Sequence, residues 1–243
     1  MTILLTEIEL VNGVLTLILV SISISLGIKM ILTYFKHKNI NLLLAGVVWI
    51  LICEIWWAVS ISFLLVIFTG KNLSLEMFFI IGFIFIPVGI EMWMLLITNL
   101  LYIKKKNIIR ITSGIVCTFF EIIFLYLYFT DISLLGEPVG TIDVMYSPYM
   151  LVYLIILLII ILSTGIQFSI ESLKSDNPEI KLKGKFLFVA FVSFIFGCFV
   201  SVSSSDNIII LVIAKIIIIL GAFEFYIGFI LPSFIKKLFL KNI

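Results

Sequence analysis

The chain of 243 residues is 63% hydrophobic, has only 12% charged residues and carries a net charge of +2; its mean hydropathy is +1.34. A soluble domain of this length could not bury so much apolar surface, because its exterior must be covered largely by polar groups. The composition therefore excludes an ordinary soluble protein and predicts an all-α polytopic membrane protein with short connections.

Seven apolar segments follow one another, each at or near the roughly 20 residues that a helix needs to cross a bilayer. We expect the spans at about residues 9–35, 40–69, 75–103, 108–129, 148–173, 185–203 and 208–231. The N-terminus is acidic and precedes a long apolar run, so we expect no cleavable signal peptide. The expected fold is a seven-helix bundle in which residues 1–243 form a single transmembrane domain.

The distribution of positive charge predicts the orientation. Fourteen of the sixteen Lys and Arg residues lie in the loops after the first, third and fifth spans, in the C-terminal tail, or in the span ends next to them. Lys71 lies in a connection on the other side, and Lys215 lies within the seventh span. The positive-inside rule then places the N-terminus outside and the C-terminus in the cytoplasm, in the cell membrane. We expect the basic inner loops to face a cytoplasmic signalling partner or anionic lipids, and no nucleic acid.

Ionisable side chains within apolar spans are candidates for function, because charge is costly inside hydrocarbon. Counting from the span ends places Glu54, Glu91 and Glu121 near the middle of the bilayer on three consecutive spans. Glu224 lies in the inner half of the seventh span, and Lys215 lies in its outer half. Four carboxylates facing one ammonium imply bound protons or a bound cation. These five residues are therefore our predicted ligand or proton site; the alternative is that the glutamates only hydrogen-bond helices together.

One proline and three tryptophans accompany these glutamates. Pro87 lies one turn before Glu91 and predicts a hinge, because proline removes a helical hydrogen bond; a simple packing kink is the alternative. Trp56, Trp57 and Trp93 lie at similar depth and are candidates to line a pocket, although core packing is the commoner reason for such tryptophans. Only the third span has an internal proline, a minor argument against the paired broken helices of inverted-repeat transporters.

Several enzyme classes are excluded. The only histidine is His37, at the inner end of the first span, so a three-histidine metal site and a membrane-embedded Ser-His dyad are ruled out. The predicted spans contain no aspartate for an intramembrane aspartyl protease, and the chain has no glycine-rich phosphate loop. We therefore expect no enzymatic activity, no cofactor and no resident metal; a glutamate-only site for calcium or magnesium is the alternative.

Three stretches carry a family resemblance. The second span places Trp in a small-residue helix, AGVVWILICEIWW; the third has Ile-Pro near its middle, FIFIPVGIEMW; and a short basic connection precedes the sixth, NPEIKLKGKFLFVAF. In these features the chain resembles the seven-helix sensor half of some prokaryotic histidine kinases. Only eleven residues follow Pro232, so the resemblance implies a stand-alone sensor without a kinase domain. The pattern also resembles archaeal seven-helix membrane proteins without an established function.

The leading hypothesis is a receptor or sensor whose helix packing responds to a ligand or to protonation. A proton or cation transporter that uses the same glutamates is the alternative. A retinal-binding protein through Lys215 ranks lower, because this lysine is only about seven residues from the outer end of its span. A structural membrane subunit is the remaining alternative.

Overall fold

The structure is a computed structural model that describes residues 5–202 and 207–240. Within them, seven helical segments are long and apolar enough to cross a membrane, which confirms the all-α seven-helix bundle of a multi-pass membrane protein. The elements are α1 (Glu7–His37), α2 (Ile40–Ile52), α3 (Trp57–Thr69), α4 (Leu75–Phe83), α5 (Ile86–Leu100), α6 (Lys106–Thr130), β1 (Gly136–Val139), β2 (Asp143–Tyr146), α7 (Pro148–Leu173), α8 (Pro178–Val202), α9 (Ile208–Ile230) and α10 (Ser233–Phe239).

Helix ends differ from the predicted spans mainly where charged residues begin a helix. The sixth span starts at Pro178 instead of about residue 185, because Asn177 accepts hydrogen bonds from two amides of the first turn, at 2.9 and 3.4 Å. The first two turns of α8 are charged, so hydropathy alone does not reveal them. The third span ends at Leu100, three residues early. The predicted end of the sixth span, residue 203, lies outside the described residues.

The connection after α6 contains a β-hairpin that the sequence analysis did not predict. Strands β1 and β2 pair antiparallel, and Gly140, with φ 65°, lies in the turn. The backbone N–H of Thr141 donates a hydrogen bond to Glu9 on α1. Asn12 Nδ2, one turn further along α1, donates to Asp143 Oδ2 at 3.1 Å. The hairpin is thus attached to one end of the bundle, the hairpin end; the opposite end, which carries most of the lysines, is the basic end.

Two consecutive spans are interrupted side by side. The second span passes from α2 to α3 through a 3₁₀ turn, Cys53–Trp56, and the third is broken between α4 and α5 at Ile84–Phe85. Pro87 occupies the first turn of α5, where its missing N–H is tolerated. The interruption of the second span, Cys53–Trp56, contains no proline, so the sequence held no signal that predicted it.

Helices α1 and α2 cross closely at two glycines. A Cβ atom at Gly46 would lie 2.6 Å from the carbonyl oxygen of Gly27, closer than side chains approach a backbone. At Gly82 on α4, by contrast, a Cβ would lie 3.4 Å from that of Ala58, an ordinary contact. The first crossing therefore requires glycine, whereas the second position does not.

We expect Gly46→Ala to lower the free energy of unfolding by about 1–3 kcal/mol, because the added methyl group forces the two helices apart. Gly82→Ala is the matched control and should be neutral or slightly stabilising, since alanine favours a helix. Thermal unfolding in one detergent would measure both variants. An equal loss of stability in the two would contradict the close crossing of α1 and α2.

Candidate functional site

Glu54 lies in the interruption of the second span and binds the interruption of the third. The side chain is fully buried, at 0% exposure. Its two carboxyl oxygens accept the backbone N–H of Phe85 at 2.9 and 3.1 Å. Phe85 is the N-cap of α5, so this amide has no acceptor within its own helix. Glu54 thus supplies, from a neighbouring span, the acceptor that the free amide at the start of α5 requires; when ionised, it would also supply the negative charge that a helix N-terminus favours.

Glu91 and Glu121 lie near this break on the two walls of one cleft. The cleft, of about 460 Å³, separates α5 from α6 and is also lined by Pro87. Glu91 Oε1 is buried and has no hydrogen-bond partner in the part of the chain that the structure describes. The carboxyl of Glu121 is close enough to Glu54 for the two to interact electrostatically. The three glutamates predicted at midplane depth are therefore brought together.

The cleft opens toward the surface that faces lipid. Its rim includes Val88 on α5 and Ile122 on α6, which are 44% and 62% exposed. Helix α6 is the most peripheral span, with only 11% of its most apolar window buried. Exposed apolar side chains thus border the cleft on this side of the bundle.

Arg110, which the sequence analysis did not single out, lies at the basic end of the same cleft. Its Nε donates to Thr98 Oγ1 at 3.0 Å, and an Nη donates to Asn99 Oδ1 at 2.8 Å. The guanidinium therefore ties α6 to α5 through polar side chains and leaves the carboxyls without a bonded cation. One feature of the sequence could have identified Arg110: it is the only arginine in a lysine-rich chain.

The charge balance of this cluster is negative. The ion pairs among the described residues join Lys174 to Glu171 and Lys236 to Glu179, and neither involves Glu54, Glu91 or Glu121. The same residues contain no group of three acidic, histidine or cysteine side chains able to hold a metal ion. Since unpaired ionised carboxylates are costly in hydrocarbon, bound protons or a cationic group must neutralise the cluster.

Lys215 lies elsewhere, toward the hairpin end of α9. It is only 3% exposed, and its Nζ lies 5.9 Å from the ring centroid of Trp56, a cation–π distance. The acid that acts on it is Asp143 of the hairpin. Neither of the two clefts described in this structure is lined by Lys215.

Asp143, at the start of β2, is a residue that the sequence did not mark as a candidate. Burial raises the pKa of its carboxyl above the ordinary value, and the amide of Val144, the charge of Lys215 and the side chain of Asn12 oppose this rise. Burial likewise raises the pKa of the Tyr146 hydroxyl. No periodicity or spacing could have placed this loop aspartate beside a lysine 72 positions later.

Glu224 is separated from the other glutamates. It lies on α9 in a second cleft, at the basic end between α8, α9 and α10. Its Oε2 is buried without a hydrogen-bond partner among the described residues. The five predicted residues thus occupy three places: the α5–α6 cleft and its neighbouring break, the region under the hairpin, and the basic-end cleft.

The three candidate tryptophans contribute mainly to packing. Trp93 is fully buried and donates from Nε1 to Thr164 Oγ1 at 2.8 Å. Trp56 packs edge-on against Phe194, with centroids 5.9 Å apart. The Trp57 Nε1 is buried without a partner in the described parts of the chain. None of the three lines the α5–α6 cleft.

The fold defines a class of molecule, a seven-helix membrane protein, and Glu54, Glu91 and Glu121 lie at or beside a cleft between two of its spans. Comparisons with protein-family models, with curated proteins and with solved structures find no match to the chain. The functional argument therefore depends on the geometry of its own residues.

Proposed function

We propose that the protein is a receptor or sensor of the cell membrane, which binds a membrane-soluble ligand or a proton at Glu54, Glu91 and Glu121. The observation that supports this most strongly is the bond from the Phe85 amide to Glu54. It links a site carboxyl directly to the start of α5, the helix that carries Glu91. A change of charge at the site therefore changes the force on a helix end.

The response follows from the strength of that bond. An ionised carboxylate is a stronger acceptor than a neutral carboxyl, and only the ionised form is favoured by the helix dipole. Neutralising Glu54, directly or through its interaction with Glu121, loosens the N-terminus of α5 next to Pro87. The other end of α5 leads into the basic loop with Lys104. A movement of α5 therefore shifts this basic loop, which a signalling partner would contact on the predicted cytoplasmic side.

The shape and lining of the cleft indicate which class of ligand it would bind. An apolar groove that opens to lipid accepts an amphiphile, and the unpartnered Glu91 Oε1 accepts a donor such as a hydroxyl or an ammonium group. Arg110, at the basic end of the cleft, adds a polar boundary that an amphiphile could meet with its headgroup.

We test the sensor by measuring distances between spin labels placed at Lys38 and Lys104, both exposed at the basic end. In liposomes, a change from pH 8 to pH 5 should shift the mean distance by about 2 Å, a shift typical of helix movements in switching proteins. Glu121→Gln should reduce the shift, because Glu121 is the carboxyl that interacts electrostatically with Glu54. Glu137→Gln on the exposed part of the hairpin is the matched control and should respond as the wild type does.

A transporter of protons or cations is the second candidate, because two adjacent spans are interrupted side by side, as in many transporter sites. The same liposomes with an internal pH dye distinguish the two functions. The sensor predicts no flux under an imposed proton or cation gradient. Flux in the wild type that disappears in Glu91→Gln would overturn the sensor proposal and establish a carrier.

A further inference from the structure

The basic-end cleft has an apolar interior and a positively charged mouth. It has a volume of about 430 Å³ and lies between α8, α9 and α10. Its apolar walls are formed by Leu182, Phe186, Val189, Phe239 and Leu240. Lys181 and Lys185 of α8 line the mouth; they are four residues apart and so share one face of the helix.

These two lysines carry charge that the protein leaves uncompensated. Nearby Glu179 is paired with Lys236, and Lys183 donates to the backbone carbonyl of Phe229 at 3.0 Å. Neither Lys181 nor Lys185 belongs to an ion pair within residues 5–202 and 207–240, and both are exposed. The mouth of the cleft therefore attracts an anion.

Glu224 lies deeper in the cleft than the two lysines, where it would contact the part of the ligand next to its anionic group. Glu224 is six residues before the end of α9, or roughly 9 Å into the helix, and it lines the cleft beyond the lysines. Its buried Oε2 lacks a partner in the described chain. When protonated, such a carboxyl donates a hydrogen bond to a neutral acceptor, for example an ester carbonyl.

The short helix α10 places the cleft at the level of the lipid headgroups. Phe234 and Leu238 are 66% and 68% exposed, although the same helix carries Lys236 and Lys237. Exposed apolar side chains beside lysines are typical of a helix that lies in the membrane interface. An occupant of the cleft therefore meets the lysines at headgroup depth and the apolar walls at acyl-chain depth.

We propose that the cleft binds one anionic phospholipid from the leaflet at the basic end. The phosphate lies between Lys181 and Lys185, an acyl chain packs on the aromatic and aliphatic walls, and an ester carbonyl accepts from Glu224. The order of charge, hydrogen-bond donor and apolar wall matches the order of groups along a phospholipid. A free phosphate would use only the two lysines and leave the rest of the cleft unfilled.

The test is native mass spectrometry of the full chain with added phosphatidylglycerol or phosphatidylcholine, and a competition with inorganic phosphate. We expect wild type to bind phosphatidylglycerol preferentially. Lys181→Gln with Lys185→Gln should weaken this binding about thirtyfold, equivalent to about 2 kcal/mol or about 1 kcal/mol for each lysine. Lys104→Gln with Lys106→Gln removes the same charge from another exposed basic loop and is the matched control.

The control should keep the wild-type affinity, and both double variants should show wild-type thermal unfolding, since all four lysines are exposed. Equal binding of the two lipids by wild type would overturn the proposal. Equal weakening in both double variants would also overturn it, because the effect would then be one of general surface charge. Displacement of the lipid by millimolar inorganic phosphate would also overturn the proposal, because the cleft would then be a site for the free anion.

Discussion

Glu54→Leu is expected to destabilise the protein by about 3–5 kcal/mol. The substitution leaves the Phe85 N–H at the start of α5 without its acceptor inside the bundle. Glu54→Gln keeps a carbonyl oxygen that can accept the same bond, so it should cost about 1 kcal/mol. Unfolding in mixed micelles with increasing fractions of denaturing detergent would measure both changes.

The matched control is Glu137→Leu, which makes the same chemical change at an exposed position of the hairpin. It should change stability by less than about 0.5 kcal/mol, as surface substitutions usually do. If Glu54→Leu were as stable as this control, the carboxyl would not be the group that holds the two interrupted spans together. The proposed transmission from the cluster to α5 would then lose its basis.

Removal of Asp143 is expected to destabilise the hairpin end by about 1–3 kcal/mol. Asp143→Asn deprives the buried Lys215 of the acid that acts on it, and it weakens the bond from Asn12. Lys215→Met alone should cost a similar amount by leaving the carboxylate without its cation. The double variant should cost less than the sum of the two, because neither charge is then left alone.

The pH dependence of the wild type has a defined sign. Because burial raises the pKa of Asp143, the folded protein binds this proton more tightly than the unfolded chain does. The contribution of this carboxyl to stability is therefore complete below the ordinary pKa of 3.8 and is lost as pH rises through the raised value. Asp143→Asn should lack this decrease of stability with rising pH, whereas Asp131→Asn, at an exposed position, should retain it. Thermal unfolding measured from below pH 3.8 upward would show whether the decrease comes from Asp143.

The sequence identified the candidate residues and their depth in each span, but it could not show which of them lie together. Counting along each span placed Glu54, Glu91 and Glu121 at a common depth, and the structure brings them together. The same counting placed Glu224 on another span without revealing that it faces α8 and α10. The direction in which a side chain points depends on how a helix is rotated against its neighbours, and a single hydropathy profile contains little of that information.

The seven apolar helices and the concentration of lysines at one end can be predicted from the residues of each segment alone. Both depend on local composition, because each span must satisfy its own backbone hydrogen bonds and exclude charge from hydrocarbon. Three features appear only in the folded chain: Glu54 caps α5, Asp143 lies near Lys215, and the α8–α10 cleft has a basic mouth. Each of these joins residues far apart in the chain, so each depends on packing between helices and on a hairpin folded over the bundle.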